Sequence, residues 1–81
     1  MIPQTYSIRL EANDEVTLIP RIVQLLAKRG CMVRKLDVRP HNAARIVVEI
    51  KVLQTSPIAP AQIVSQLEKI IDVEQAAIVT P

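Results

Sequence analysis

Only one glycine, Gly30, occurs in the 81 residues, and it separates a run with the helical period from a run with the strand period. Before it, Ile19, Ile22, Val23 and Leu26 recur at the spacing of one helix face, with Leu18 and Leu25 widening the stripe. Lys28 and Arg29 load the last turn with positive charge, which suits the negative end of a helix dipole. A lone glycine just past such a turn predicts a C′ residue in the left-handed conformation. After it, Val33, Leu36 and Val38 sit among Arg34, Lys35, Asp37 and Arg39, the pattern of a half-buried strand. Val33 is out of phase with the other two, so a bulge is predicted near Arg34 or Lys35. Bulges favour sheet edges, and this strand is therefore placed at one. The unit predicted is a helix that stops sharply and returns as an edge strand.

The rest of the chain fits around that unit. Tyr6, Ile8 and Leu10 alternate with Thr5, Ser7, Arg9 and Glu11 in a first strand over residues 5–11. Residues 12–16 form a loop. Thr17 is the better helix cap than Asp14, because it puts Pro20 in the first turn, where its missing N–H costs nothing. The helix then starts at Thr17 or Leu18 and runs to Arg29. The second strand spans 32–39, with Pro40, His41, Asn42 and Ala43 as the turn. Ile46, Val48, Ile50 and Val52 give the third strand, 45–53, its core face. Val47 and Leu53 lie on its outer face and indicate that this face is not fully wet. After a loop over 54–60, a second helix opened by one of the loop prolines runs to Ile71, with Ile63, Val64, Leu67, Ile70 and Ile71 as its buried stripe. Pro60 suits its first position, although Ala59 is a poor cap. Asp72 ends the helix, and residues 73–80 form a last strand, with Ala76 and Ile78 on one face and Ala77 and Val79 on the other.

The resulting order, strand–helix–strand–strand–helix–strand, predicts a single α+β domain over 1–81. It is a ferredoxin-like βαββαβ sandwich, an antiparallel sheet of order 4-1-3-2 with both helices on one face. A domain this short buries a modest fraction of its surface. With one cysteine and therefore no internal disulfide, oligomerisation is the expected source of added stability.

Composition excludes several functions. The charge is only +2, and basic residues mingle with acidic ones. Tyr6 is the only aromatic residue, so no sheet of stacking aromatics can hold bases, and nucleic acid is not an expected partner. The N-terminus lacks a signal-peptide pattern, and no segment approaches the ~20 apolar residues of a membrane span; a cytoplasmic, membrane-free protein is expected. There is no CxxC for metal handling and no glycine-rich phosphate loop. His41 sits in a predicted turn, and Cys31 could act as a nucleophile only beside a histidine. No catalytic residue, metal or cofactor is expected. What remains is binding: the loop at the first helix N-terminus offers backbone N–H groups that either hold a small carboxylate or are simply capped.

On Arg29-Gly30 after the apolar helix, the strand Val33-x-x-Leu36-x-Val38 and the stretch QLEKIIDV (Gln66 to Val73), the chain resembles an ACT domain. More narrowly, it resembles the short, ACT-only small regulatory subunit of acetohydroxyacid (acetolactate) synthase. The resemblance implies a non-catalytic subunit that binds and activates the thiamine-diphosphate-dependent catalytic subunit in branched-chain amino-acid biosynthesis. It implies a homodimer paired through the first helix and second strand, at Ile22, Leu25, Cys31, Met32 and Arg34. It implies an effector site for a small amino acid between the first loop of one copy (Asp14, Glu15, Thr17, Leu18, Ile19) and the second strand of the next (Met32, Val33). Glu15, Ile19 and Val33 fit the family pattern. Asp14 departs from it, Thr17 stands where the family has glycine, and Met32 where it has asparagine, so activation is the stronger implication and valine inhibition the weaker. The alternative reading is a stand-alone amino-acid-binding ACT dimer that regulates another protein.

Overall fold

The computed structural model describes residues 3–79. The elements are β1 (Gln4–Asn13), α1 (Leu18–Lys28), β2 (Cys31–Asn42), β3 (Arg45–Gln54), α2 (Pro60–Glu68) and β4 (Val73–Val79). All three strand pairings are antiparallel, in the order β2-β3-β1-β4. This is the predicted 4-1-3-2 arrangement of a ferredoxin-like sandwich.

One face of the sheet carries Ile8, Leu10, Ala12, Val48, Ile50 and Val52, all fully buried against the helices. The helices contribute Leu18, Ile22 and Leu26 from α1, and Ile63 and Leu67 from α2. The axis of the α1 stripe is thus Leu18–Ile22–Leu26, at a spacing of four, and Val23 lies at its margin, 37% exposed. Gly30 has φ +78 and follows the C-cap Arg29, as the sequence requires.

Several boundaries differ from expectation. β1 runs on through Ala12 and Asn13, which pair with Ile46 and Arg45 of β3. β2 includes Pro40, His41 and Asn42, so the hairpin turn shrinks to Ala43 and Ala44. Proline is tolerated there because β2 is an edge strand and its register shifts between Pro40 and Asn42. The predicted bulge is present, with the register shifting between Val33 and Lys35. Pro60 is the proline that opens α2, behind an uncapped Ala59. α2 stops at Glu68 rather than Ile71. Backbone bonds from Lys69 to Gln66 and from Ile70 to Leu67 tighten the chain, and Asp72 at φ +84 turns it into β4. Ile71 is therefore thrown outward, 79% exposed, and leaves the buried stripe. Thr80, the predicted end of β4, lies outside the described residues.

Candidate functional site

Two polar junctions hold the sheet to its helices, and the predicted site residues are divided between them. The first lies at the N-terminus of α1. Glu15 turns back onto the helix: its carboxylate accepts the Thr17 N–H at 2.9 Å and also the Thr17 hydroxyl. Arg21, one turn on, donates to Asp72 Oδ2 and to the Ile71 carbonyl, each at 2.9 Å, and reaches Glu15 at 3.4 Å. The Thr17 hydroxyl and amide, and then Arg21, hold the Glu15 carboxyl below its ordinary range. The Glu15 carboxylate therefore sits beside the positive end of α1, on the amide of the residue before the helix, and the Glu15 carbonyl accepts the Leu18 N–H at 3.0 Å. Asp14 and Thr17 are exposed, Ile19 is half-buried, and Leu18 is fully buried in the core.

The second junction lies at the other end of α1. Gln54 is 1% exposed, the one buried polar residue among the described residues, and both of its side-chain polar atoms have partners. Its Oε1 accepts the Tyr6 hydroxyl at 2.6 Å, and its amide donates to the Ser56 carbonyl at 3.0 Å and to the Ile58 carbonyl. Ser56 donates to the Arg29 carbonyl, and the Thr55 N–H to the Gly30 carbonyl at 2.9 Å. The loop before α2 thereby covers the open end of α1. Burial, with Cys31 beside it, pushes the Tyr6 phenol well above its ordinary pKa; burial likewise raises the Cys31 thiol.

This geometry separates the expected effector residues. Met32, 47% exposed, and half-buried Val33 open β2, whereas Asp14, Glu15 and Thr17 precede α1. The 11 residues of α1 set these groups about 16 Å apart along its axis. One copy of the chain does not assemble the site. Of the expected interface residues, Ile22 and Cys31 are 0% and 4% exposed and belong to the chain's own core. Leu25, Met32 and Arg34 do reach the surface, and Leu25 borders a shallow depression of about 270 Å³ with Arg21, Gln24, Lys28 and Arg29.

Cys31 and His41 do not meet. They stand ten residues apart on β2, on the order of 30 Å, and His41 faces Glu11 at 3.6 Å instead. Among the described residues, no group of three or more His, Cys, Asp or Glu is placed to hold a metal, and no helix is long and apolar enough to cross a membrane.

Arg21 and Gln54 were not anticipated from the sequence. Gln54 was legible, because it continues the inward alternation of Ile46, Val48, Ile50 and Val52. Arg21 carried no such signal: its partner Asp72 is distant in sequence and reaches it only through the turn after α2. The QLEKIIDV stretch is itself used by this architecture. Gln66 accepts from Arg29, Leu67 fills the core, Glu68 accepts the Ala76 N–H at 3.2 Å, and Asp72 holds Arg21.

No protein-family model and no curated protein matches the sequence. Solved structures match the fold closely. The C-terminal domain of the MgtC protein from Mycobacterium tuberculosis superposes with a TM-score of 0.76 at 19% identity, over 96% of this chain and 87% of that one. The ACT domain of GTP pyrophosphokinase from Chlorobium tepidum gives 0.77 at 12% identity, over 96% of this chain and all of that domain. A homoserine dehydrogenase from Thiobacillus denitrificans gives 0.78 at 13% identity, with 96% of this chain covering 17% of that one. The chain therefore has the ACT-type form of the ferredoxin-like fold.

Proposed function

We propose that the chain is a non-catalytic regulatory subunit that binds and activates the thiamine-diphosphate-dependent catalytic subunit of an acetohydroxyacid synthase. The fold supports a regulatory role, since 96% of the chain superposes on the whole of the ACT domain from GTP pyrophosphokinase. The choice of partner rests on the QLEKIIDV stretch. The working unit in this reading is a cytoplasmic homodimer paired through α1 and β2, with Leu25, Met32 and Arg34 at the contact.

The observation that carries activation over effector sensing is Glu15. A ligand carboxylate arriving at α1 meets a carboxylate already seated on the Thr17 N–H. Contact with the catalytic subunit has a candidate surface nearby. Val16 and Ile71, 88% and 79% exposed, lie on the two turns that Arg21 joins. These two side chains are the surface that this reading assigns to the contact.

The test is to mix the chain with the catalytic subunit from the same source and measure acetolactate formation. Turnover should rise several-fold, and Val16→Asp with Ile71→Asp should abolish the rise while the fold persists. No complex and no activation would overturn the proposal. Met32→Asp should weaken the homodimer; unchanged mass by sedimentation would exclude pairing through β2. Calorimetry against the twenty amino acids addresses the alternative of a stand-alone sensor, which must show saturable heat with one of them.

A further inference from the structure

The open face of the sheet, opposite the helices, sets like charges side by side. Lys35 lies directly across from Lys51, and Asp37 directly across from Glu49. Sheets usually avoid such pairs because they repel. The acids are partly compensated, Asp37 by Arg39 at 2.8 Å and Glu49 by Arg9 at 3.8 Å. The lysines take part in none of the ion pairs found among the described residues. Ser7, Lys35, Asp37, Arg39, Glu49 and Lys51 border a shallow concavity of about 240 Å³.

The outward residues of β3 give this arrangement a meaning. After Arg45, which pairs with Glu74, they are Val47, Glu49, Lys51 and Leu53: apolar, negative, positive, apolar. Reversing the strand about the midpoint of Glu49 and Lys51 sets each side chain against its complement. A two-fold axis lying in the face and crossing the strands at that midpoint extends the match over the sheet. Lys51 then meets Glu49 of the second copy, Lys35 meets Asp37, and Leu53 meets Val47. On β1, Ser7 meets Arg9 and Thr5 meets Glu11, so no like charges oppose one another.

We propose that the open sheet face is a self-complementary docking surface for a second copy of this chain, held by the Lys35/Lys51 row against the Asp37/Glu49 row. The area suffices. Four strands about 4.8 Å apart, with β1 and β3 of ten residues each, form a face of roughly 600 Å². Two such faces in full contact cover at most about 1,200 Å², the low end for a specific interface. The surface meets the α1–β2 edge at Met32, which lies beside Leu53 and under this axis is met by Arg39 of the second copy, and the proposal does not depend on the regulatory reading.

Sedimentation of charge-swapped chains tests it. Lys35→Glu/Lys51→Glu sets acid against acid in the pair, and Asp37→Lys/Glu49→Lys sets base against base. Each variant alone should self-associate at least tenfold more weakly than the parent at low salt. An equimolar mixture should regain the parent's association, because both rows are then complementary. High salt should weaken the parent and the mixture alike. If a double variant fails to fold by circular dichroism, the single pair Lys51→Glu and Glu49→Lys poses the same question. A parent that shows no association through this face, variants that keep the parent's mass, or a mixture that stays dissociated would overturn the proposal. In the second case, pairing through the α1–β2 edge would stand untouched.

Discussion

Gly30→Ala puts the closure of α1 to the test. The residue has φ +78, and an added Cβ would lie 2.7 Å from Ser56 Cβ, 3.1 Å from its Oγ and 3.3 Å from its backbone nitrogen. The conformational cost comes first: a residue with a Cβ in the left-handed region loses about 1–2 kcal/mol relative to glycine. The steric cost follows. Ser56 Cβ is fixed to the backbone, so the loop over residues 55–58 must move as a unit. That movement stretches the bonds from Thr55 N–H to the Gly30 carbonyl and from the Ser56 hydroxyl to the Arg29 carbonyl. A stretched bond loses part of the about 0.5–1.5 kcal/mol it contributes, so the two together lose about 1–2 kcal/mol and the whole cost is about 2–4 kcal/mol. Urea denaturation followed by far-UV circular dichroism measures it. Ser56→Gly separates the two contributions, because it removes the obstructing atom. In that background Gly30→Ala should cost only the conformational part, about 1–2 kcal/mol, leaving a coupling of about 1–2 kcal/mol. A cost below about 0.5 kcal/mol, or the same cost in both backgrounds, would refute the argument.

Three further outcomes are expected. Gln54→Leu should destabilise by about 2–4 kcal/mol, since it strands the Tyr6 hydroxyl and two backbone carbonyls together, whereas Tyr6→Phe should cost about 1 kcal/mol; equal costs in urea would show that Gln54 is not the hub. Burial holds the protons of Tyr6 and Cys31 beyond their ordinary values of 10.0 and 9.0. The folded chain thus keeps protons that the unfolded chain releases, and stability is full below about pH 9 and falls as pH rises further. Tyr6 is the only aromatic residue, so ultraviolet absorbance reports its ionisation directly, and a phenol titrating at its ordinary value in the folded chain would contradict this. Arg21→Gln should lower stability by about 1 kcal/mol, discounted because its side chain is 34% exposed, and the loss should shrink in an Asp72→Asn background; an undiminished loss there would break the assigned pairing.

The sequence alone determined the order of helices and strands along the chain, because that information is local. Period two and period 3.6 alternate cleanly along the chain, Gly30 marks where one gives way to the other, and the misphased Val33 disclosed the bulge in β2. These features depend on neighbours a few residues away, and the structure retains them all. Helix and strand ends were less legible. α2 stops early because Asp72 must turn the chain into β4, and β2 absorbs Pro40 because an edge strand needs no N–H there. The site was the least legible part. Only the tertiary structure placed Arg21 between Glu15 and Asp72, turned the Glu15 carboxylate onto its own helix, and seated Gln54 under Tyr6. It also set Lys35 beside Lys51, which no reading of either strand by itself discloses. These are contacts between residues far apart in the chain, and their partners are chosen by strand register and by turn geometry, neither of which leaves a periodic trace.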